Sequence, residues 1–487
     1  MKATRRAIVG GLAGAGIAAA IARATGADAV RVTDFRRADD VDDSDAFRRA
    51  LATGRPVHAP AAGGSGPEGR YLVATAEPNL PTGAMLFGDG PGRTIIARSY
   101  ARPAPFLFHA DSKSPDPAQN LQGIAFRDLS LEDDVVRRGF SEFDYLVMLN
   151  GVTGARFERV NFTGFRGDGL HLGSSTISAV ERHNRDVVVR DCRFDGINAN
   201  NRNAISVIDC DGLLIEDSVF LNCTRPGDGT PLRGDPMNPR TGLAQPGAID
   251  CEPNGDRFAI IRNVVIRRNL FQGGGGNAVA LNLRPNDAVD IAQQGFTITE
   301  NRIVDRAGGF AIFGYGPGKS LTGTPRYELM VAENEIRGCA TPFIVDGVRG
   351  VRITRNWIIE CSKMAEIGYR GMVAEVEVDE NRFERAGNQA PGHALWIRSS
   401  DRLALTGNMF VDCGAAGARN GVAIAFVDGV NRNLTLSGNR FASPDGRTAQ
   451  AMTVFAAARI DAGSARVSAN RVEFRATPVE AVLGLGR

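Results

Sequence analysis

Leu213-Leu214-Ile215-Glu216-Asp217-Ser218-Val219-Phe220 is a phrase that this chain keeps rewriting. It returns as VVIRRNLF (264–271), FTITENRI (296–303), VRITRNWI (351–358), VEVDENRF (376–383), LALTGNMF (403–410) and LTLSGNRF (434–441). The template is apolar, x, apolar, x, x, Asn, x, apolar. Two alternating apolar residues describe a short strand with one buried face. The Asn is expected at a bend, where its side chain bonds backbone and tolerates unusual dihedrals. The final apolar residue opens the next strand.

Looser copies place the bend at 129, 160, 192, 334 and 470, and most steps between bends are 22 to 33 residues. The step from 218 to 269 is longer and marks a local insertion. A period of this length belongs to a solenoid, in which each unit needs its neighbours to cover its apolar face. Helical repeats would space apolar residues by three and four and would tolerate 58 glycines poorly. The expectation is an all-β, right-handed, single-stranded parallel β-helix of about twelve rungs. A solenoid also lets 487 residues form one body, because it grows along one axis. The 57 basic and 55 acidic residues nearly cancel, so no broad nucleic-acid-binding field is expected.

Residues 1–29 read as an export signal. Arg5-Arg6 precede a mildly apolar Ala/Gly run, and Ala27-Asp28-Ala29 offers small residues for cleavage. Paired arginines with a weakly apolar core favour the twin-arginine route, hence a periplasmic or secreted protein with no membrane attachment after cleavage. An uncleaved membrane anchor is the alternative. Residues 30–110 read as a cap and first coils, with Ser44 or Asp45 starting a short helix near 44–52 that carries Ala46, Phe47, Ala50 and Leu51 on one face. Residues 111–487 are the β-helix body.

Asp34-Phe35 and Asp42-Asp43-Ser44, followed by Val57-His58-Ala59-Pro60 and Leu86-Phe87-Gly88-Asp89-Gly90, resemble the opening segments of the pectate-lyase-like β-helix superfamily. Arg37 and Asp39 replace that superfamily's central glycines. The resemblance covers nearly all of the mature chain and implies a fold more than an activity. It also implies that one sheet, whose strands follow each Gly-rich turn, floors a substrate groove.

Alternation locates those strands: Leu170-His171-Leu172, Ile205-Ser206-Val207, Ile249-Asp250-Cys251-Glu252, Val279-Ala280-Leu281-Asn282, Ile312-Phe313-Gly314-Tyr315, Phe343-Ile344-Val345-Asp346 and Leu395-Trp396-Ile397-Arg398. The outward rows then read His171, Ser206, Asp250, Ala280, Phe313, Ile344, Trp396 and Glu252, Asn282, Tyr315, Asp346, Arg398. Ala204, Ala248, Ala278, Ala311 and Ala394 form a small-residue row beside them. Acids, amides, an imidazole and aromatics on one stripe suit a sugar, although any solvent-facing sheet carries polar residues.

Asp250 and Glu252 stand out as two acids on one face, their Cα atoms about 6.6–7 Å apart. That spacing admits acid–base hydrolysis, Ca²⁺ held for a lyase, or plain hydroxyl binding. His171, preceded by Asp168, is the expected proton carrier. The insertion 224–247 precedes this rung and would wall the groove with Arg233 and Asp235 among its residues. Ser206, Asn282, Arg284, Tyr315, Asp346, Trp396 and Arg398 are expected at subsites; arginines such as Arg202, Arg284 and Arg398 suit uronate carboxylates. Cys223, Cys339, Cys361 and Cys413 share one repeat position, which points to stacked buried thiols, with a Cys339–Cys361 bridge as the alternative.

The chain lacks the signature motifs of polygalacturonases, mannuronan epimerases and the characterised lyases; Gly234-Asp235-Pro236 is followed by Met237 where an epimerase has His. No catalytic residue is therefore carried over. The reading is an exported protein cleaving a polysaccharide, acidic in character, as hydrolase or lyase. A non-catalytic glycan-binding or structural solenoid is its rival.

Overall fold

The computed structural model describes residues 28–102, 104–174, 182–225, 246–253, 259–283, 293–314, 327–368, 371–415 and 421–483. The chain winds as a parallel β-helix. One sheet holds twelve strands in strict chain order, from Phe106–Asp111 to Thr448–Val454, each paired in parallel with the next coil. We call it the front sheet. The remaining wall is a 31-stranded parallel sheet that bends sharply once in each coil.

The bend has a two-residue mechanism that corrects the sequence reading. The left-handed backbone falls on the residue before the Asn, as at Arg268 (φ 54°), Glu300 (56°), Glu333 (58°), Arg355 (52°) and Glu380 (55°). The Asn itself turns inward and bonds along the solenoid axis. Oδ1 of Asn301, Asn334, Asn356, Asn381, Asn408, Asn439 and Asn470 each accepts from the backbone N–H and the Nδ2 of the Asn one coil earlier, at 2.9–3.1 Å. Ser218 begins this ladder with a hydroxyl: its Oγ accepts from the Cys192 N–H at 3.1 Å. A bend would otherwise bury unpaired amides, and from Ser218 to Asn470 the ladder meets that demand.

Inside, like side chains stack. Phe162, Phe194, Phe220 and Phe271 lie face to face at 4.4, 4.9 and 4.6 Å. Phe383, Phe410 and Phe441 repeat the motif at 4.7 and 5.2 Å. All seven cysteines are buried free thiols. Arg306 occupies the repeat position of Cys339 and Cys361, and its guanidinium donates to the carbonyls of Cys223, Gly273, Gly275 and Asn277. Burial pulls it down to about 10.

The helix Ser44–Leu51 closes the first coils, with Ala46, Phe47, Ala50 and Leu51 buried as expected. Phe47 packs edge-on against Tyr71 and Phe108 at 5.4 and 5.7 Å. The N-cap position is Asp43, one residue earlier than predicted, and its carboxylate leaves the helix end to accept from the N–H groups of Ser65 and Leu72. Among the described residues, no helix is long and apolar enough to cross a membrane. The export signal expected at residues 1–29 lies outside the described residues, apart from Asp28 and Ala29.

Candidate functional site

The outer face of the front sheet is read directly from its register. One outward row runs His109, Met148, His171, Ser206, Asp250, Ala280, Ala311, Ile344, Glu366, Trp396, Ala425, Thr453. Asn282, Phe313 and Asp346 belong to the next row. The predicted register is therefore right except on the strand Gly308–Gly314. There Ala311, and not Phe313, faces Ala280, so the sequence alignment of that rung was two residues out. Parity survived the slip, since Ile312 still points inward; side-chain alternation has a period of two and cannot sense such a shift.

Asp250 sits on the outward row between the buried Ile249 and Cys251, yet is itself only 1 % exposed. Its surroundings are polar. Asn282 Nδ2 donates to Oδ1 at 3.1 Å. The Asn203 amide nitrogen faces the carbonyls of Arg202 and Gly247, and its oxygen accepts from Ser206 Oγ. That amide oxygen lies 3.4 Å from Asp250 Oδ2. Burial and the neighbouring Glu252 both push its carboxyl well above the ordinary range, against the pull of Arg202. Glu252, half-buried just past the strand end, stands beside it.

One rung from Ser206 is the second half of the site. His171 Nδ1 meets Asp168 Oδ2 at 2.8 Å, and the same oxygen accepts from Arg202 Nη1 at 2.9 Å. Burial alone would raise Asp168, but Arg202 and His171 outweigh it and hold the carboxyl below its usual range. An ionised Asp168 accepts from the Nδ1–H of His171, which in the singly protonated ring leaves the lone pair on Nε2. Tyr145 stacks on the imidazole, centroids 4.4 Å apart and planes 5° from parallel. Burial, with Asp168 nearby, keeps its phenol protonated far above its usual range. Arg202 Nη1 also reaches Ser206 Oγ at 3.0 Å, so one guanidinium ties the His171 half to the Asp250 half. That position corrects the expectation of Arg202 as a uronate partner.

The predicted subsites divide. Asp168, His171, Ser206, Asp250, Glu252 and Asn282 converge. Asp346, Trp396 and Arg398 lie along the same face but farther on, Trp396 five rungs or about 24 Å from Asp250. Asp346 Oδ1 accepts from the Gly371 N–H, Trp396 Nε1 donates to His393 Nδ1, and Arg398 pairs with Asp428 while lying over the Trp396 ring. Ala280, Ala311 and Ile344 separate the two groups. Arg233, Asp235, Arg284 and Tyr315, with most of the insertion 224–247, lie outside the described residues.

Tyr145, His109 and Glu366 were not foreseen. The strand Tyr145–Asn150 is buried along its whole length and carries Leu146 and Met148 where polar residues were sought, so alternation gave no signal. Glu366 sits on a strand of only three residues, Ala365–Ile367, and burial raises its carboxyl. Among the described residues no three His, Cys, Asp or Glu side chains converge as metal ligands. Among the described residues, Asp250 and Glu252, with Asn282 presenting an N–H to Asp250, do not by themselves make the six- to eight-oxygen shell of Ca²⁺.

Solved structures share this architecture. The catalytic unit of a GH87 α-1,3-glucanase from Streptomyces thermodiastaticus strain HF3-3 aligns with a TM-score of 0.53 at 15 % identity, over 92 % of this chain and 69 % of that one. Pre-mature bacteriophage phi29 gene product 12 aligns with a TM-score of 0.55 at 13 % identity, over 92 % of this chain and 56 % of that one. The shared fold is the right-handed parallel β-helix. The mannuronan C-5 epimerase AlgE6 A-module of Azotobacter vinelandii is also similar, with a TM-score of 0.49 at 14 % identity, over 90 % of this chain and 98 % of that one. No family model matches the sequence, and no curated protein does.

Proposed function

We propose that this is an exported carbohydrate-active enzyme that cleaves glycosidic bonds in a polysaccharide lying along the front sheet. The observation that supports it best is Asp250: a carboxyl that burial and the neighbouring Glu252 push well above its ordinary range, with Glu252 beside it. Two like charges so close do not both ionise readily, so the pair keeps one proton. Hydrolysis uses such a pair directly. Glu252, the more exposed of the two, is the member in contact with sugar. It hands the proton it shares with Asp250 to the departing glycosidic oxygen and, left as carboxylate, takes a proton from the incoming water, which restores the pair. Ser206 and Asn282 hold Asp250 in place, the first through Asn203 and the second directly.

A second reading, elimination from a uronate, is favoured by His171. Its Nε2 is a ready proton acceptor because Asp168 holds Nδ1 and Arg202 holds Asp168. Both reactions release new reducing ends, whereas only elimination creates an unsaturated uronate that absorbs in the near ultraviolet. The test is a panel of acidic and neutral polysaccharides, with and without chelator, following both signals. On the polysaccharide that is cut, Glu252→Gln and Asp250→Asn are expected to lower kcat by about 10²–10⁴-fold. Turnover unchanged in both variants would overturn the assignment. Saturable binding with neither signal would establish the rival, a glycan-binding solenoid.

A further inference from the structure

The front sheet is open to solvent on only one side of Asp250 and Glu252. Toward the N-terminal coils its outward side chains are shut in. Ser206, His171, Met148 and His109 on the first row, and Ile208 and Asn150 on the second, are all buried. Toward the C-terminal coils the face opens. Glu252, Asn282 and Phe313 stand on successive coils of the second row, and each is part-exposed. Ile344, Glu366 and Trp396 carry the opening on along the first row, with Arg398 beside Trp396, and these too are part-exposed. The accessible side chains therefore trace a strip that begins at the carboxyl pair and runs away from it for five rungs, about 24 Å.

The make-up of the strip suits a glycan. A pyranose has faces of C–H groups and a rim of hydroxyls; aromatic rings cover the first, and carboxylates and amides bond the second. Phe313 is a half-buried ring on the outward side, two rungs or about 9.6 Å from Glu252. Its first-row neighbours, Ala311 and Ala280, end at a methyl and do not overhang it. Trp396, three rungs farther on, is held in one orientation: Nε1 donates to His393 Nδ1 at 2.5 Å, and the Arg398 guanidinium lies 5.4 Å from the ring centroid, paired with Asp428. Asn282 and Glu366 supply polar groups beside the two rings.

We propose that the polysaccharide lies along this strip and on one side of Asp250 and Glu252 only, stacked on Phe313 and Trp396, so that a chain end is placed at the pair and short fragments leave from that end. The inference rests on the reading of the pair as the place of cleavage, and adds to it a direction and a mode of action. A glycan cut in mid-chain needs an open face on both sides of the pair. The buried run from Ser206 to His109 offers no such length.

The test uses the full chain. An extended glycan advances by roughly one ~4.8 Å rung per unit, so a triose seated at Glu252 reaches Phe313, whereas a hexaose reaches Trp396. Trioses and hexaoses of the cello-, manno-, xylo-, laminari- and galacturonate series are titrated by calorimetry against Asp250→Asn, which silences turnover. At least one series is expected to saturate. In that background Phe313→Ala is expected to weaken both lengths about tenfold or more, Trp396→Ala the hexaose alone, and Phe313→Tyr, which keeps a ring, neither. With the native protein, the first products from the hexaose are expected to be a fragment of one or two units and its complement. The proposal is overturned if no series binds, if both alanine variants bind like their parent, or if Trp396→Ala weakens the triose as much as the hexaose. Three-unit fragments among the first products overturn it equally. A hexaose bound with this length dependence but left uncut by the native protein would support the path and overturn the cleavage reading alone.

Discussion

Asn356→Ala is the sharpest probe of the ladder that holds the coils in register. Asn356 is 2 % exposed. Its Oδ1 accepts from the Asn334 backbone N–H and Nδ2, and its own Nδ2 donates to the carbonyls of Val331 and Thr354 and to Asn381 Oδ1. Alanine removes all of these. The Asn334 Nδ2 keeps two other acceptors, the carbonyls of Ile298 and Ala332, but the Asn334 backbone N–H is left buried without one. One orphaned donor costs about 1–3 kcal/mol, and the lost Nδ2 bonds about 0.5–1.5 kcal/mol each. Counting one bond for each of the two Nδ2 hydrogens, the expected loss is about 2–6 kcal/mol. Asn356→Ser should lose less, because Ser218 already fills this ladder position with a hydroxyl that accepts a backbone N–H. Trp357, one of two tryptophans, adjoins the substitution and reports local unfolding in denaturant. Hydrogen exchange at the Asn334 amide reads the orphan itself. A loss below about 1 kcal/mol, or unchanged protection at Asn334, would refute the claim that the side-chain ladder carries this load.

Three further outcomes follow from the same structure. The Asp250 carboxyl is raised above 3.8 in the folded protein, so its share of stability is complete below that pH and is lost as pH rises through the native value. Asp250→Asn, which mimics the protonated acid, should therefore gain on the parent by about 1.4 kcal/mol per pH unit above that point until the native group ionises; a flat or opposite difference in paired denaturant melts would refute the protonated state. Phe220→Ala interrupts a continuous aromatic stack and should cost about 3–5 kcal/mol by the same melts, with a cost near zero refuting the stack's role. Burial pushes the thiols of Cys192, Cys223 and Cys413 up to about 12, so an alkylating reagent near neutral pH should label none of the three until the protein is denatured, as mass spectrometry of digests would show.

Much of this was legible in the residue order because a solenoid is nearly one-dimensional. Each coil touches only its neighbours, so a local pattern of apolar, x, apolar, x, x, Asn is enough to specify strand, bend and next strand. It also specified that Asp250 and Glu252 share an outward face, since parity along a strand is a local property. What the pattern left open is which residue of one coil stands beside which residue of the next. Turns of variable length separate the rungs, and only the paired backbones decide that Ala311 meets Ala280 and that Arg202 reaches Asp168 and Ser206 together. Burial is likewise a tertiary outcome: the sequence shows an acid at 250, an amide at 150 and an imidazole at 109, whereas the packed coils push the first well above its ordinary range and leave the other two without a side-chain hydrogen-bond partner among the described residues.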